Sequence, residues 1–275
     1  MSSTAFVLVL TAAVLHAVWN AIVKASTDGL IATWTIVSAA ALANVPVLVV
    51  VGLPNREVWW TVVASAALHV AYNLTLVIAY DRADLSIAYP IARGTAPLLV
   101  TVGGAALLAD PTTAQGVAGT GLVSLSLAVL ATARPVRDTS WAAVTGFMIA
   151  AYTVVDGAGV RANGDSVQFI AAVFVVHAVV LTGIVARQRG GTPMKQTLMD
   201  DPVRLLIGGT ASAVAYLLVM IAARTEPLGL VAGLRETSVL FGMAIGAGIL
   251  KESVIPRHAL AVAFAMLGTV AIATS

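Results

Sequence analysis

Long apolar runs separated by short polar breaks fill the whole chain. The runs cover residues 4–24, 30–52, 59–80, 85–108, 114–132, 141–160, 167–186, 203–223, 228–249 and 257–274. Most match the roughly 20 residues that cross a bilayer as helix. The breaks fall at clusters of charge, Pro and Gly, and long alternating strands of the β-barrel type are absent. One break is longer: residues 187–202, RQRGGTPMKQTLMDDP, are polar and read as a surface loop. The pattern predicts an all-α integral membrane protein with ten transmembrane helices and no attached soluble domain. The first run lacks a basic lead and a clear small-x-small cleavage site, so it reads as span 1 rather than a signal peptide.

Composition agrees with this. Of 275 residues, 59% are hydrophobic and 10% charged, against about 25% charged in a soluble domain. The mean hydropathy is +0.96. A net charge of +2, spread over short loops, forms no nucleic-acid patch, and the absence of cysteine removes disulfide and thiolate chemistry. Basic residues accumulate on one side of a ten-span topology, at Lys24, Arg82, Arg134, Arg137, Arg187, Arg189, Lys195, Arg204, Lys251 and Arg257. Only Arg56, Arg161 and Arg224 fall on the other. The positive-inside tendency makes the first side cytoplasmic and both termini external.

The chain also matches itself. AYNLTLVIAYDRADLSIAYPIARG (71–94) aligns with AYLLVMIAARTEPLGLVAGLRE (215–236) across a two-residue gap. Tyr72 falls on Tyr216 and Arg93 on Arg235; Asp110 and Glu252 each follow their arginine by 17 residues, and Trp19 falls near Tyr152. Two five-span units are therefore expected, 1–135 and 136–275. Five is odd, so the second unit lies upside down relative to the first. Inverted repeats of this kind hold a substrate site between them near the bilayer midplane.

Polar side chains sit within the runs. LHAVWN (15–20) in span 1 recurs as LHVAYN (68–73) in span 3, placing an imidazole, an aromatic ring and a carboxamide on one helix face in each. His16, Trp19, Asn20 and Lys24 form the first stripe, and His69, Tyr72 and Asn73 the second. Such stripes either line a polar interior or hydrogen-bond between helices; their repetition favours the first. Arg93 in span 4, Asp156 in span 6, and Arg235 with Glu236 in span 9 are charges at bilayer depth. Each costs about 2.5–3.5 kcal/mol to insert at a helix centre. They must face the bundle interior, as structural ion pairs (Arg235 with Asp156, for instance) or as groups handling substrate or protons. Tyr89 lies four residues before Arg93, and Arg93 itself lies between prolines 90 and 97, where a kink is expected. The ridges Gly116/Thr120/Ser124/Ala128 and Ala261/Ala265/Thr269/Ala273 suit close helix contact in spans 5 and 10, a scaffold or subunit-contact role.

No nucleotide-binding loop, zinc-protease or serine-hydrolase motif occurs, so transport would run on a gradient, and neither cofactor nor metal is called for. Asp81 and Asp84 in DRAD (81–84) pair two acids at a membrane edge, as an intramembrane phosphate enzyme would to hold its ion, and as solvated loop acids also do.

HAVWNAIVKAS, YPIARGTAPLL and LRETSVLFGMAIGAGILKES together resemble the EamA-type branch of the drug/metabolite transporter superfamily, over essentially the whole chain. The resemblance implies a non-enzymatic ten-helix secondary transporter in the cytoplasmic membrane, monomeric or homodimeric, with a central cavity lined by spans 1, 3, 4, 6, 8 and 9. Family members often end span 4 with Gly-Glu, where this chain has Ala109-Asp110-Pro111. The expected cargo is a small polar metabolite carrying a carboxylate or other anion, such as an amino acid, exported by alternating access. Its expected contacts are His16, Trp19, Asn20, Lys24, His69, Tyr72, Asn73, Tyr89, Arg93, Tyr152, Asp156, Tyr216, Arg235 and Glu236. The alternative is proton-coupled export of cationic or lipophilic drugs, with Asp156 and Glu236 as the binding charges.

Overall fold

A computed structural model describes residues 1–24, 28–83, 85–131, 139–200, 202–241 and 256–275. Within these, side chains are described except at 19–24, 85–87, 131, 198, 200, 203–205, 256 and 258. Secondary structure among the described residues is helical throughout. The helices are α1 (Ser3–Lys24), α2 (Gly29–Val51), α3 (Trp59–Arg82), α4 (Leu85–Leu108), α5 (Ala114–Ala131) and α6 (Ser140–Asn163). They continue with α7 (Ser166–Arg189), α8 (Gly191–Asp200), α9 (Pro202–Ala223), α10 (Leu228–Arg235) and α11 (Pro256–Ala273). Six segments are long and apolar enough to cross a membrane: Gly29–Val51, Arg56–Arg82, Ala88–Leu108, Ser140–Asn163, Ser166–Arg189 and Leu206–Ala223. Ser3–Val18, Ala114–Leu130 and Ala259–Ala273 are shorter apolar helices. Large apolar side chains such as Leu42, Val50, Leu107, Val179 and Val270 are exposed, an arrangement that water penalises and lipid does not. The chain is a multi-pass membrane protein.

The ends of the helices are set by local chemistry. Asp28 caps α2, its carboxylate accepting from the N–H groups of Leu30 and Ile31 at 3.0 and 3.1 Å. Asp165 caps α7 in the same way through Val167 and Gln168, at 2.8 and 3.2 Å. A cap of this kind is worth about 1 kcal/mol. Gly52 ends α2 at φ 83° and Gly190 ends α7 at φ 76°, a backbone that side chains with a Cβ resist.

Two expectations from the sequence fail here. The 187–202 loop contains helix α8. Composition hid it, since its glycine, proline and polar residues carry little apolar signal. Met194 supplies the anchor, buried at the edge of the cluster formed by Leu30, Trp34 and Leu181. The ninth run is also interrupted. α10 stops at Arg235, the chain tightens through Glu236 and Thr237 with three-residue bonds (Thr237 N–H to Leu234 O, 3.1 Å; Val239 N–H to Glu236 O, 3.1 Å), and helix resumes at 238–241. By contrast α4 runs as one helix through Pro90 and Pro97.

Several helix pairs meet start to end and so pack antiparallel. On one face, the Met1 amino group donates to Ser275 O at 3.0 Å, and Ser2 Oγ to Glu226 beyond the end of α9 at 2.6 Å. Asn55, before α3, bonds Asn163 at the end of α6 at 2.9 Å, and Gln168 of α7 bonds Val51 O of α2 at 2.7 Å. We call this the terminal face. At the opposite face Arg189 of α7 pairs with Asp28 of α2 at 2.8 Å. The helix pairs in contact include α1 with α9, α3 with α6, α1 with α10, α4 with α6, α2 with α9, α3 with α7, α2 with α7, and α5 with α11. The last pair meets inside this chain through Gly119 and Gly268 rather than through the expected α5 ridge, whose Gly116 and Thr120 face Leu230 and Gly229 of α10 and whose Ser124 carbonyl faces Gly94 of α4. A Cβ on Gly119 would stand 3.0 Å from the Gly268 carbonyl, and Ala261 and Ala265 are buried.

Candidate functional site

All four charges expected at bilayer depth are buried: Arg93, Asp156, Arg235 and Glu236 are each at most 4% exposed. Three of them meet. Arg93 projects from the middle of α4, and Glu236 from the point where α10 breaks. Arg93 Nε stands 3.0 Å from Glu236 Oε2, an ion pair whose atoms are not aligned as a hydrogen bond. Arg235 reaches the other carboxylate oxygen, with Nη2 donating to Oε1 at 3.3 Å. Two guanidiniums therefore share one carboxylate. Arg235 pairs with its chain neighbour rather than with Asp156, because the helix break turns the Glu236 carboxylate into the same space.

Arg93 also donates through Nη2 to Nε2 of His16 on α1. Its guanidinium lies 5.8 Å from the Tyr89 ring centroid, so phenol and cation share a face of α4 as their spacing predicts. α4 can approach α6 closely at this level because Gly146 has no side chain. A Cβ there would stand 2.8 Å from the Ala92 carbonyl.

A second polar group gathers around Asp156 on α6. The Tyr216 hydroxyl of α9 donates to Asp156 Oδ2, and His69 Nε2 of α3 lies 3.9 Å from the same oxygen. Asp156 Oδ1 is buried with no hydrogen-bond partner. His69 Nδ1 lies 3.0 Å from Ser65 O and 3.3 Å from Ser65 Oγ. The imidazole stacks on Tyr152, with centroids 4.0 Å apart and planes at 23°. Tyr72 and Tyr216 each meet Tyr152 edge-on, at 5.6 and 6.2 Å. The aromatic rings join the two polar groups into one region between α3, α4, α6, α9 and α10.

Asn73 points into this region indirectly. Its Nδ2 lies 2.8 Å from Nε2 of His177 on α7, whose ring centroid is 5.4 Å from that of His69. Sequence reasoning missed His177 and Ser65. A single histidine in an otherwise apolar span carries no stripe, and a serine three residues before a motif carries no charge. The side chains of Trp19, Asn20 and Lys24 lie outside the described residues. Asp84, Lys251 and Glu252 do so entirely.

Asp110, the residue that departs from the family pattern, has a definite place on the terminal face. Its Oδ1 pairs with Arg161 Nη1 at 2.7 Å, while Oδ2 accepts the N–H of Leu228 at 2.8 Å and so caps α10. Arg161 further donates to Ala223 O at 3.0 Å and Glu226 O at 2.9 Å.

A polytopic helical bundle with shared charges and stacked aromatic rings at bilayer depth has the construction of a membrane transporter. Residues 139–274 match the model of the EamA-like transporter family. The chain is an EamA-type member of the drug/metabolite transporter superfamily. A solved structure described only as the crystal structure of a protein has the same fold, with a TM-score of 0.80 at 16% identity. The match covers 100% of this chain and 97% of that one. No curated protein matches the sequence.

Proposed function

We propose that the protein is a gradient-driven exporter of a small carboxylate-bearing metabolite, such as an amino acid, in the cytoplasmic membrane. One observation carries this reading: Arg93 and Arg235 share the single carboxylate of Glu236 away from water. That cluster holds one positive charge in excess. A carboxylate entering it gains bidentate, charge-assisted hydrogen bonds and relieves the imbalance. His16 and Tyr89 orient Arg93, while Tyr72, Tyr152 and Tyr216 form the walls.

Alternating access would come from two inverted five-helix units, 1–135 and 136–275. Three features support the duplication. The contacts α1–α9 and α3–α6 exchange under the swap of halves, as do α2–α9 with α3–α7 and α4–α6 with α1–α10. Asp28 and Asp165 cap matching helices, and Gly52 and Gly190 end them with the same sign of φ. The interruption at Glu236 resembles the broken helices that place backbone and charge at transporter sites. The terminal face, tied by Asp110 and Arg161, would be the closed and external side, and the opposite face the route to the site.

Transport of labelled alanine or acetate into liposomes tests the reading. Arg93→Ala should abolish it; undiminished flux through a folded Arg93→Ala protein removes the guanidinium from the site. The rival reading, export of cationic drugs, draws on the unpartnered oxygen of Asp156. It predicts dye transport that disappears in Glu236→Gln.

A further inference from the structure

Asp156 and His69 are the polar pair that the carboxylate reading leaves without a task. Their geometry specifies what is missing between them. His69 Nδ1 sits 3.0 Å from a backbone carbonyl, that of Ser65. A carbonyl only accepts, so Nδ1 carries the ring's proton. In neutral His69 the Nε2 lone pair then faces Asp156 Oδ2 at 3.9 Å. Tyr216 donates its hydroxyl to that oxygen and not to Nε2, and among the described residues the nearest charged oxygen to Nε2 is this same Asp156 atom. Two electron pairs opposed across a buried gap are unfavourable, and one proton resolves the conflict. It gives either an imidazolium beside a carboxylate or a carboxylic acid donating to Nε2.

The surroundings accept that proton without capturing it elsewhere. From α7, His177 turns Nε2 to the Asn73 amide, which donates to it, so that nitrogen holds no proton. From α6 itself, Tyr152 lays its ring on the imidazole, a surface that favours the cationic form. From α9 comes Tyr216, and from α3 Tyr72 reaches Tyr152 edge-on. Arg235 of α10 is the cation within electrostatic reach of both His69 and Asp156.

Charge balance then links this pair to the arginines. Arg93 and Arg235 offset Glu236 and Asp156 when the region is empty. A bound carboxylate leaves it one negative charge in excess, and one proton restores neutrality. We propose that His69 and Asp156 together bind a proton that accompanies each carboxylate taken up at Arg93 and Arg235, an inference that rests on the anion reading above. Carriage is then electroneutral. It runs outward whenever accumulated metabolite outweighs the proton gradient.

The test is proton uptake by purified, weakly buffered protein on titration with acetate, with thermal stability followed in parallel. The wild type should take up close to one proton per acetate bound. Asp156→Asn, a mimic of the protonated acid, should still be stabilised by acetate but take up none, and His69→Gln should behave likewise. Acetate binding that needs Arg93 but moves no proton, or releases one, overturns the proton proposal and leaves the anion reading standing. If acetate does not bind at all, the anion reading fails. The proton site is then decided by acid–base titration: wild type and Asp156→Asn differing by no group between roughly pH 4 and 9 overturns it.

Discussion

Replacing Arg161 with alanine should unlatch the terminal face. In the structure this side chain ties α6 to the ends of α4 and α9 and to the turn before α10, through Asp110, Ala223 O and Glu226 O. A hydrogen bond to a charged group contributes about 1.5–3 kcal/mol. The Arg161 side chain is 24% exposed and that of Asp110 6%, so water partly replaces what is lost. A net loss of about 2 kcal/mol is expected, and at 1.4 kcal/mol per decade it raises the open fraction about 30-fold. The chain has no cysteine, so one can be introduced without further change. Ser238 beside the charge cluster is 2% exposed and its Oγ has no hydrogen-bond partner, making Ser238→Cys a mild probe. Labelling by a membrane-impermeant maleimide should accelerate about 30-fold, by the same conversion, when Arg161→Ala is combined with it. An unchanged labelling rate in a protein that remains folded by thermal unfolding would refute the latch.

Two further outcomes follow from helix contacts. Gly146→Ala should force α4 and α6 apart at the turn carrying Arg93, because the Ala92 carbonyl 2.8 Å away is backbone and cannot rotate aside. Overpacking of this kind costs about 1–3 kcal/mol, to be read as a lowered unfolding temperature; an unaltered one contradicts the close approach. Asp28, outside the spans, concerns pH. Partial burial pushes its carboxyl up, but the Ile31 N–H, the Arg189 guanidinium and the Leu30 N–H together hold it below the usual carboxylate range. Its contribution is therefore complete above the unfolded value of about 4 and fades as pH falls through the lower folded value. Unfolding scans should show the advantage of wild type over Asp28→Asn shrinking below about pH 4, and an advantage constant down to pH 3 would count against it.

The cost of inserting charge made Arg93, Asp156, Arg235 and Glu236 stand out from the sequence, and the repeat in the chain aligned the two arginines. Their partners were hidden. Whether Arg235 meets Asp156 or Glu236 depends on a break in α10, and hydropathy, which scores affinity for lipid, passes through that break without change. Asp110 acquires its roles from Arg161 and Leu228, 51 and 118 residues away in sequence, a separation that local pattern does not sense. His177 enters the site through Asn73 and beside the His69 ring, on a helix with no polar stripe of its own. α8 forms because Met194 finds a buried seat, a tertiary gain that its polar sequence does not announce.

A carrier that reorients within a bilayer must do so both empty and loaded, and moving uncompensated charge through low dielectric is costly in either state. Two arginines balanced by Glu236 alone would satisfy the loaded carrier and penalise the empty one. With Asp156 ionised, the empty region carries no net charge; with a carboxylate and a proton bound, it carries none again. The intermediate states, holding an anion or a proton alone, each carry one unit of charge. On the proposed reading, the separation of the buried ions into an arginine cluster and a histidine–aspartate pair would permit two neutral states and disfavour the charged states between them, which is the condition for coupling rather than leak.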